Sequence, residues 1–281
     1  MTKSIDKKKM IEKLKKSSAF TIAYHDNAFM DKEFCRPVRL ELELLKAETI
    51  FLEQKIYSTI VAFGGTRIIE PKDAEANVKK VTARLAKNPD DVALKKKLNI
   101  ARSIAAKSHY YDEAKEFARL VSAECQINEG HEYVIVTGGG PGIMEAANRG
   151  AHEIGAKSIG LNITLPMEQE PNPYITPELC MQFHYFAIRK MHFMMRAKAL
   201  LAFPGGYGTL DELFEALTLV QTLKVEPLPI ILFGEKFWKK IINFKALVDE
   251  GTIAEEDINL FVYADTAKDA WEYIKYFNRS K

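Results

Sequence analysis

Residues 199–212 read ALLAFPGGYGTLDE, and this stretch decides the expected fold. The apolar run at residues 199–203 predicts a short buried strand. A glycine-rich turn follows it at once, and the helical spacing of residues 209–223 predicts a helix directly after the turn. A strand that passes through a glycine-rich turn into a helix is typical of α/β proteins with a parallel sheet.

The chain on both sides of this stretch repeats the same alternation of strand and helix. Short, nearly continuous apolar strands are what a parallel sheet covered on both faces requires. The pattern therefore predicts an α/β fold with a doubly wound, mostly parallel, Rossmann-like sheet. Strands are predicted at residues 57–63, 133–136, 158–163, 199–203, 228–233 and 260–263, and helices at residues 37–55, 142–155, 186–198, 209–223, 236–250 and 267–277.

Two regions fall outside this alternation. Residues 1–56 predict an N-terminal helical extension. Residues 57–281 form the expected Rossmann-like nucleotide-binding domain, interrupted at about residues 68–130 by a helical insertion. The insertion lacks an apolar strand run and predicts two or three helices, because a structureless loop of this length is implausible. Residues 165–177 are expected to be a loop.

Composition indicates an ordinary globular protein of the cytoplasm. The 281 residues are 47% apolar, and 40 basic and 38 acidic residues leave a formal net charge of +2. This balance gives no reason to expect a nucleic acid or a membrane as partner. No run reaches the ~20 apolar residues of a membrane span, and no signal peptide is recognisable. Cys35, Cys125 and Cys180 are too widely spaced for a disulfide framework or a zinc site.

Three of the predicted strands end in glycine-rich turns. These turns are FGGTR at residues 63–67, VTGGGPG at residues 136–142 and FPGGYGT at residues 203–209. Because the carboxyl ends of parallel strands meet at one edge, the three turns can line a single crevice. Glycine lets backbone N–H groups approach an anion closely, and a helix start suits a phosphate. The crevice is therefore expected to bind a phosphorylated ligand.

The spacing of the glycines narrows the choice of ligand. The dinucleotide fingerprint G-x-G-x-x-G fails because Ile143 occupies the place of the third glycine. No G-K-[ST] follows a glycine run, so a Walker A loop is absent as well. NAD and ATP hydrolysis are disfavoured, and a nucleoside monophosphate or sugar phosphate fits better. No metal-ligand cluster and no identifiable Schiff-base lysine occur, so no metal or other cofactor is expected.

Glu212 has two interpretations. The spacing of Thr209 and Glu212 is that of a capping box, with Thr209 as N-cap and Glu212 at the third helical position. Alternatively, a carboxylate beside a bound ribose phosphate can stabilise a cationic sugar or orient a water molecule. Asp211 and Glu215 are nearby alternatives for that role. The side chains expected to face the core from this helix are those of Leu210, Leu213, Phe214 and Leu217, which leaves Glu212 off the centre of the apolar stripe.

Arg189 and Lys190 form a basic pair in the predicted helix 186–198. Their neighbours in the sequence are apolar or contain sulfur. A basic pair in such surroundings can neutralise a phosphate or a departing base. The alternative is that both side chains are solvated at the surface.

Three segments together resemble one protein family. GGGPGIMEAA at residues 138–147 resembles the G-G-G-x-x-G-[LI]-M segment of the LOG ("Lonely Guy") family. Residues 189–191 resemble its R-K-x-x-[MF] segment, and residues 204–212 match its P-G-G-x-G-T-x-x-E signature in full. The resemblance covers residues 60–261 apart from the insertion.

The resemblance implies a Rossmann-like fold, a homodimer or higher homo-oligomer, and a hydrolase without a cofactor. The implied activity is that of a phosphoribohydrolase, which cleaves the N-glycosidic bond of a nucleoside 5′-monophosphate to free base and ribose 5-phosphate. AMP and cytokinin ribotides are the implied substrates. Many family members also carry an old label as lysine decarboxylases, which the missing cofactor lysine argues against here.

By the motif match, Arg189 and Glu212 are the expected catalytic pair. The residues that the resemblance assigns to the phosphate and ribose are Gly139, Gly140, Gly205, Gly206, Gly208 and Thr209. Further substrate contacts are expected at Gly64, Met144 and Lys190.

Two features depart from short family members. The first loop, FGGTR at residues 63–67, replaces a C-G-S-S-type turn, and the N-terminal extension and the insertion are additional. Both departures leave substrate choice and assembly open. A non-catalytic nucleotide sensor of the same fold is an alternative to an enzyme, and so is a protein that serves mainly in assembly.

Overall fold

The core of the protein is a sheet of seven strands in which every neighbouring pair is parallel. The computed structural model describes residues 6–126, 131–166 and 170–279. The strands are β1 (Thr59–Phe63), β2 (Val134–Thr137), β3 (Ser158–Ile163), β4 (Cys180–Phe183), β5 (Ala197–Ala202), β6 (Ile230–Phe233) and β7 (Val262–Ala264).

The order of the strands across the sheet is β4-β3-β2-β1-β5-β6-β7. The chain starts at β1, moves outward to β4, and returns to β5 on the other side of β1 before moving outward again. The strand order thus reverses between β1 and β5, and open sheets of this kind bind ligands at the carboxyl ends of the strands beside such a reversal. The doubly wound α/β fold predicted from the sequence is confirmed.

Twelve α-helices connect or extend these strands in the described residues. They are α1 (Lys7–Lys15), α2 (Asn27–Met30), α3 (Arg36–Glu53), α4 (Pro71–Lys87), α5 (Val92–Ala105), α6 (His109–Cys125), α7 (Ile143–His152), α8 (Phe186–Met195), α9 (Tyr207–Gln221), α10 (Glu235–Ile241), α11 (Phe244–Asp249) and α12 (Ala267–Arg279). Short 3-10 turns lie at Ser18–Phe20, Ala23–His25, Glu33–Cys35, Pro177–Leu179 and Glu255–Leu260.

The chain divides into two compact units, residues 1–48 and residues 49–281. The predicted boundary at residue 56 and the extent of the insertion stay predictions. The stretch expected to hold two or three helices contains α4, α5 and α6. Within the described residues no helix is both long and apolar enough to cross a membrane.

Both faces of the sheet are covered by helices of the second unit. Strands β1, β2 and β6 are buried at every position, as continuous apolar strands of a parallel sheet should be. On one face, Ile60 and Leu201 belong to a core cluster with Phe117 of α6 and Trp271 of α12. On the other face, Phe63 packs edge-to-face on Phe193 of α8, with ring centroids 4.7 Å apart.

Three elements differ from the expectation. Strand β4 was not predicted, because as an edge strand it buries only alternate residues, Met181 and Phe183. The helix expected at residues 236–250 is two helices, since Ile242 is extended and the Asn243 side chain caps α11 by accepting from the Ala246 amide. Helix α9 begins two residues before Thr209, which changes the role of that residue at the candidate site.

Candidate active site

A cavity of about 370 Å³ lies at the carboxyl edge of the sheet, beside the reversal between β1 and β5. Its lining includes the predicted site residues Gly64, Met144, Arg189, Gly206, Gly208, Thr209 and Glu212. The remaining lining residues are Phe63, Gly65, Thr66, Gly138, Ile163, Leu165, Phe186, Phe193 and Tyr207. The predicted contacts Gly139, Gly140, Lys190 and Gly205 are not part of this lining.

The third glycine loop brings the start of α9 to the cavity. Gly206 is the N-cap residue, with extended backbone and no side-chain capping bond. The predicted capping box with Thr209 as N-cap is therefore wrong, because α9 already begins at Tyr207 and places Thr209 at its third position. In the described structure, no protein acceptor binds the backbone amides of Tyr207, Gly208 and Thr209. Such amides, together with the helix dipole, favour an anion.

The glycines of the third loop leave space above these amides. A Cβ added at Gly206 or Gly208 would meet no heavy atom within 4 Å. Gly205 instead faces the protein, since a Cβ there would lie 2.6 Å from the Cβ of Thr209. Gly206 and Gly208 thus keep the helix start accessible, whereas Gly205 allows the tight turn that precedes it.

The first glycine loop is held against the third. The amide of Gly65 donates to the Pro204 carbonyl oxygen at 2.9 Å. Gly64 must lack a side chain because a Cβ there would lie 2.6 Å from the Cβ of Ile143, at the start of α7. These contacts join the ends of β1 and β5 into one wall of the cavity.

The second glycine loop is closed on itself. The amide of Gly139 donates to Thr137 Oγ1 at 3.0 Å. Asn172 Nδ2 donates to the carbonyl oxygens of Gly139 at 3.2 Å and Gly140 at 3.1 Å. The same Nδ2 donates to Asn148 Oδ1 at 2.9 Å. Of the backbone amides expected to bind a phosphate, that of Gly139 is therefore bound to protein. Only Gly138 of this run of glycines reaches the cavity lining.

Glu212 is buried in the cavity wall. It lies in the second turn of α9 and its residue is only 6% exposed. Burial raises the pKa of the Glu212 carboxyl to about 7, although the positive charges of Lys190 and Arg189 act in the opposite direction. The expected apolar stripe of α9 is rotated, because Glu212 is buried whereas Phe214 is 39% exposed.

Arg189 faces Glu212 across the cavity. Its Nη2 lies 3.8 Å from Glu212 Oε1, and its side chain is 13% exposed. The guanidinium packs over the rings of Phe186 and Phe193, at 4.9 Å and 5.6 Å from their centroids. Burial lowers the pKa of Arg189, but an arginine remains charged in proteins. Its buried Nε has no hydrogen-bond partner in the described structure.

Lys190 contacts the same glutamate from outside the cavity. Its Nζ lies 2.8 Å from Asp211 Oδ2, 2.7 Å from Glu215 Oε2 and 3.7 Å from Glu212 Oε2. The side chain is 16% exposed. Neither Arg189 nor Lys190 is thus a solvated surface residue. The two consecutive residues instead contact opposite oxygens of one carboxylate.

Sequence reasoning missed the aromatic lining of the cavity. Phe186 and Phe193 lie three residues before and four residues after Arg189. Residues at these spacings share one helix face, so helical periodicity would have placed both rings beside the guanidinium. Ile163 and Leu165 lie at and just after the end of β3 and had no motif to mark them. No group of three or more His, Cys, Asp or Glu side chains that could hold a metal occurs in the part of the chain that the structure describes.

Comparison with known proteins matches the half of the chain that contains Arg189 and Glu212. Residues 144–274 match a family model described as "Possible lysine decarboxylase". Over 157 residues, the chain is 32% identical to the cytokinin riboside 5′-monophosphate phosphoribohydrolase LOG7 of Arabidopsis thaliana, covering 52% of this chain and 70% of that protein. The chain belongs to the LOG family.

Other LOG proteins match over similar lengths. The cytokinin riboside 5′-monophosphate phosphoribohydrolase LOG of Oryza sativa subsp. japonica is 29% identical over 167 residues, which are 58% of this chain and 65% of the rice protein. The match thus spans slightly less than two thirds of the rice LOG protein. The structure of the Moco carrier protein from Chlamydomonas reinhardtii aligns with a TM-score of 0.43 and 17% identity, over 80% of this chain and 99% of that chain.

The region that matches the family model begins at Met144. It therefore contains α8 with Arg189 and the third glycine loop with Glu212, but neither of the first two glycine loops. The part of the site that resembles the family most specifically is also the part with open backbone amides and a buried carboxylate.

Proposed function

We propose that this LOG protein hydrolyses the N-glycosidic bond of a nucleoside 5′-monophosphate and releases the free base and ribose 5-phosphate. One observation carries the proposal: the buried Glu212 carboxylate and the Arg189 guanidinium share a cavity with the open helix start at Gly208 and Thr209. The phosphoribohydrolase names of the plant relatives support the same reaction class.

The 5′-phosphate is proposed to bind at the start of α9. The amides of Tyr207, Gly208 and Thr209 are free of protein partners in the described structure and lie at the positive end of the helix dipole. The absence of side chains at Gly206 and Gly208 allows phosphate oxygens to approach these amides. The phosphate would anchor the substrate and thereby fix the distance of the sugar from Glu212.

Glu212 is proposed to act on the sugar. Cleavage of the C1′–N bond leaves the electron pair on the base nitrogen and an oxocarbenium-like sugar. The ionised Glu212 carboxylate would stabilise this cation or position the water whose oxygen bonds to C1′. The proton that this water loses balances the charge on the departing base. Arg189, which lines the cavity, would hold the ligand and favour departure of the base.

The rest of the cavity suits a flat, weakly polar base. Aromatic rings and aliphatic side chains can sandwich a base through its faces. Apart from Arg189 and Glu212, no described lining residue has a charged or amide side chain that could form hydrogen bonds with the edge of a base. We therefore favour adenine, with an alkyl substituent on its exocyclic amine tolerated. The apolar lining residues are Phe63, Met144, Ile163, Leu165, Phe186 and Phe193.

A nucleotide panel tests this function. The purified protein is incubated with AMP, GMP, CMP, UMP, isopentenyladenosine 5′-monophosphate and adenosine, and free base is measured by chromatography. We expect release of adenine or its alkylated form, and at least ~100-fold slower release from adenosine, which lacks the phosphate anchor. Binding of AMP without release of any base would indicate a nucleotide sensor instead. If the protein neither bound any of these nucleotides nor released a base from them, the proposal would be contradicted.

We also propose a cytoplasmic homodimer or higher homo-oligomer without nucleic acid or membrane partners. Several large apolar side chains of α8 and α9 are exposed around the site, which supports an interface there. Light scattering after size-exclusion chromatography measures the assembly directly, and a monomer at micromolar concentration would contradict it. The exposed side chains are those of Phe186, Met191, Met195, Tyr207 and Phe214.

A further inference from the structure

We propose that Lys190 is a positioning residue that holds the Glu212 carboxylate in place from behind the cavity, and that Asp211 and Glu215 set the strength of this hold. The inference rests on the proposed function only in so far as Glu212 acts on the substrate. It replaces the expectation, taken from the motif, that Lys190 binds the substrate itself.

Lys190 lies outside the lining of the cavity and instead faces an adjoining open depression with Asp211 and Glu215. Lys190 is absent from the cavity lining, whereas its neighbour Arg189 is part of it. Consecutive residues of a helix point about 100° apart, so α8 directs one cation into the cavity and the other behind it. The two meet at Glu212: Arg189 lies near Oε1 and Lys190 near Oε2. Each carboxylate oxygen thus has its own cation.

The outer carboxylates pull Lys190 away from Glu212. Lys190 Nζ lies 2.8 Å from Asp211 Oδ2 and 2.7 Å from Glu215 Oε2, but 3.7 Å from Glu212 Oε2. Asp211 and Glu215 are more exposed than Glu212, with side chains 59% and 34% exposed, so water partly screens their charges. The ammonium group is therefore shared among three carboxylates, and its effect on Glu212 depends on the other two.

The charges make two opposite predictions about Glu212. The charged groups that act on it are Arg189 and Lys190 from α8 and Asp211 and Glu215 from its own helix. Lys190 lowers the pKa of Glu212, whereas Asp211 and Glu215 raise it, all against the larger effect of burial. Removing Lys190 and removing the outer carboxylates should therefore shift the pKa of Glu212 in opposite directions. A lysine whose charge had no effect on Glu212 would not produce this pair of shifts.

The pH dependence of kcat/KM for AMP tests the inference. In K190M we expect the acid limb to move upward by about one pH unit, because an opposite charge near a carboxylate is lost. In the double variant D211N/E215Q the limb should move downward. K190R keeps the charge and should stay near the wild-type profile. K198M, which removes an exposed lysine of β5, serves as the matched control and should leave the profile unchanged.

Three results would contradict the positioning role of Lys190. The inference expects K190M to keep a KM for AMP close to that of the wild type. If Lys190 bound the phosphate, K190M would raise this KM, whatever happened to the acid limb. Shifts of both variants in one direction, or no shift in either, would also overturn the inference. Should K190M fail to fold, an absent downward shift in D211N/E215Q would still overturn the role of the outer carboxylates, and an altered profile in K190R would overturn the role given to the charge of Lys190.

A titration without substrate separates this inference from the proposed function. Protein labelled with ¹³C at the glutamate side-chain carboxyls is titrated by NMR, and the Glu212 signal is assigned by its loss in E212Q. The same opposite shifts are expected in K190M and D211N/E215Q. If the wild-type protein released no base from any nucleotide, the proposed function would fail, yet this titration would still test Lys190.

Discussion

The second and third glycine loops look alike in the sequence but have opposite arrangements in the structure. Residues 138–142 read GGGPG and residues 204–208 read PGGYG, and each run links a strand to a following helix. In the second loop, the Gly139 amide donates to Thr137 Oγ1, and the side chain of Asn172 donates to the carbonyls of Gly139 and Gly140. In the third loop, the helix-start amides have no protein partner in the described structure.

The glycines themselves are required for different reasons in the two loops. Gly139 has φ of +74°, and a Cβ there would collide with the Asn162 side chain. Gly208 has no such backbone requirement and no neighbour within 4 Å of a Cβ position. Glycine therefore supports the shape of the protein at one loop and the approach of a ligand at the other. The number of glycines does not distinguish these two roles. The backbone conformation of each glycine and the atoms around it do.

The largest expected effect comes from the carboxylate beside the open loop. Glu212→Gln keeps the shape of the side chain but cannot become negative. We expect kcat for AMP to fall at least ~100-fold, the scale of losing one electrostatic stabiliser in a transition state. AMP binding should stay near normal, because the phosphate binds the amides. Steady-state kinetics and calorimetry check the two parts, and wild-type turnover would remove Glu212 from the mechanism.

The same substitution should increase stability at high pH. Folding raises the pKa of Glu212 to about 7. At pH values between its pKa in the unfolded chain and 7, the folded state therefore binds more protons than the unfolded state. The protonated form is favoured by folding, and this contribution to stability is lost as pH rises through 7. The glutamine side chain of the E212Q variant is neutral at all pH values. We therefore expect E212Q to melt above the wild type at pH 8 and close to it at pH 5, measured by calorimetry.

The next prediction concerns the second glycine loop, at residues 138–142. Gly139→Ala must place a side chain at a positive φ, which costs about 1–2 kcal/mol, and also displace Asn162. We expect the free energy of unfolding to fall by about 2 kcal/mol or more in urea denaturation. Gly155→Ala is the matched control, since Gly155 has the same φ of +74° with nothing within 4 Å. Its smaller loss measures the backbone cost alone.

The outcome for binding completes this test. The folded fraction of Gly139→Ala should bind AMP with a Kd close to that of the wild type, since Gly139 does not line the cavity and its amide donates to Thr137 Oγ1. A specific loss of AMP affinity without a loss of stability would show that this loop binds the ligand after all.

The interior strands could be predicted because burial on both faces leaves a continuous apolar run. Residues 230–233 are buried at every position and read IILF. The edge strand Cys180–Phe183 escaped prediction because it is short and buries only alternate residues. The alternation of strand and helix was sufficient for the fold class, since few arrangements bury such strands.

At the candidate site, the motifs located Glu212 and Arg189 but not the direction of every side chain. The sequence places Lys190 next to Arg189, yet only the packing of α8 shows that one faces the cavity and the other does not. The binding of the second loop by Asn172 depends on a residue more than 30 positions away, which no local pattern reveals. Long-range contacts, rather than local propensity, decide which glycine loop is open.

The smallest expected effect concerns the third glycine loop, whose amides at the start of α9 are free of protein partners in the described structure. Gly208 is the second residue of α9, where alanine is favoured over glycine by up to about 1 kcal/mol. Gly208→Ala should therefore leave the unfolding free energy unchanged or slightly increase it. Its methyl group would project into the space above the amides, and we expect the Kd for AMP to rise about 10-fold, or about 1.4 kcal/mol.

The two alanine variants should thus behave as opposites: Gly139→Ala loses stability and keeps affinity, whereas Gly208→Ala keeps stability and loses affinity. Isothermal titration with AMP beside urea denaturation on both variants makes the comparison directly. An unchanged Kd in Gly208→Ala would mean that the phosphate binds away from the start of α9. The free amides there would then need another ligand, and Glu212 would no longer be placed beside the sugar by a phosphate anchored one helical turn away.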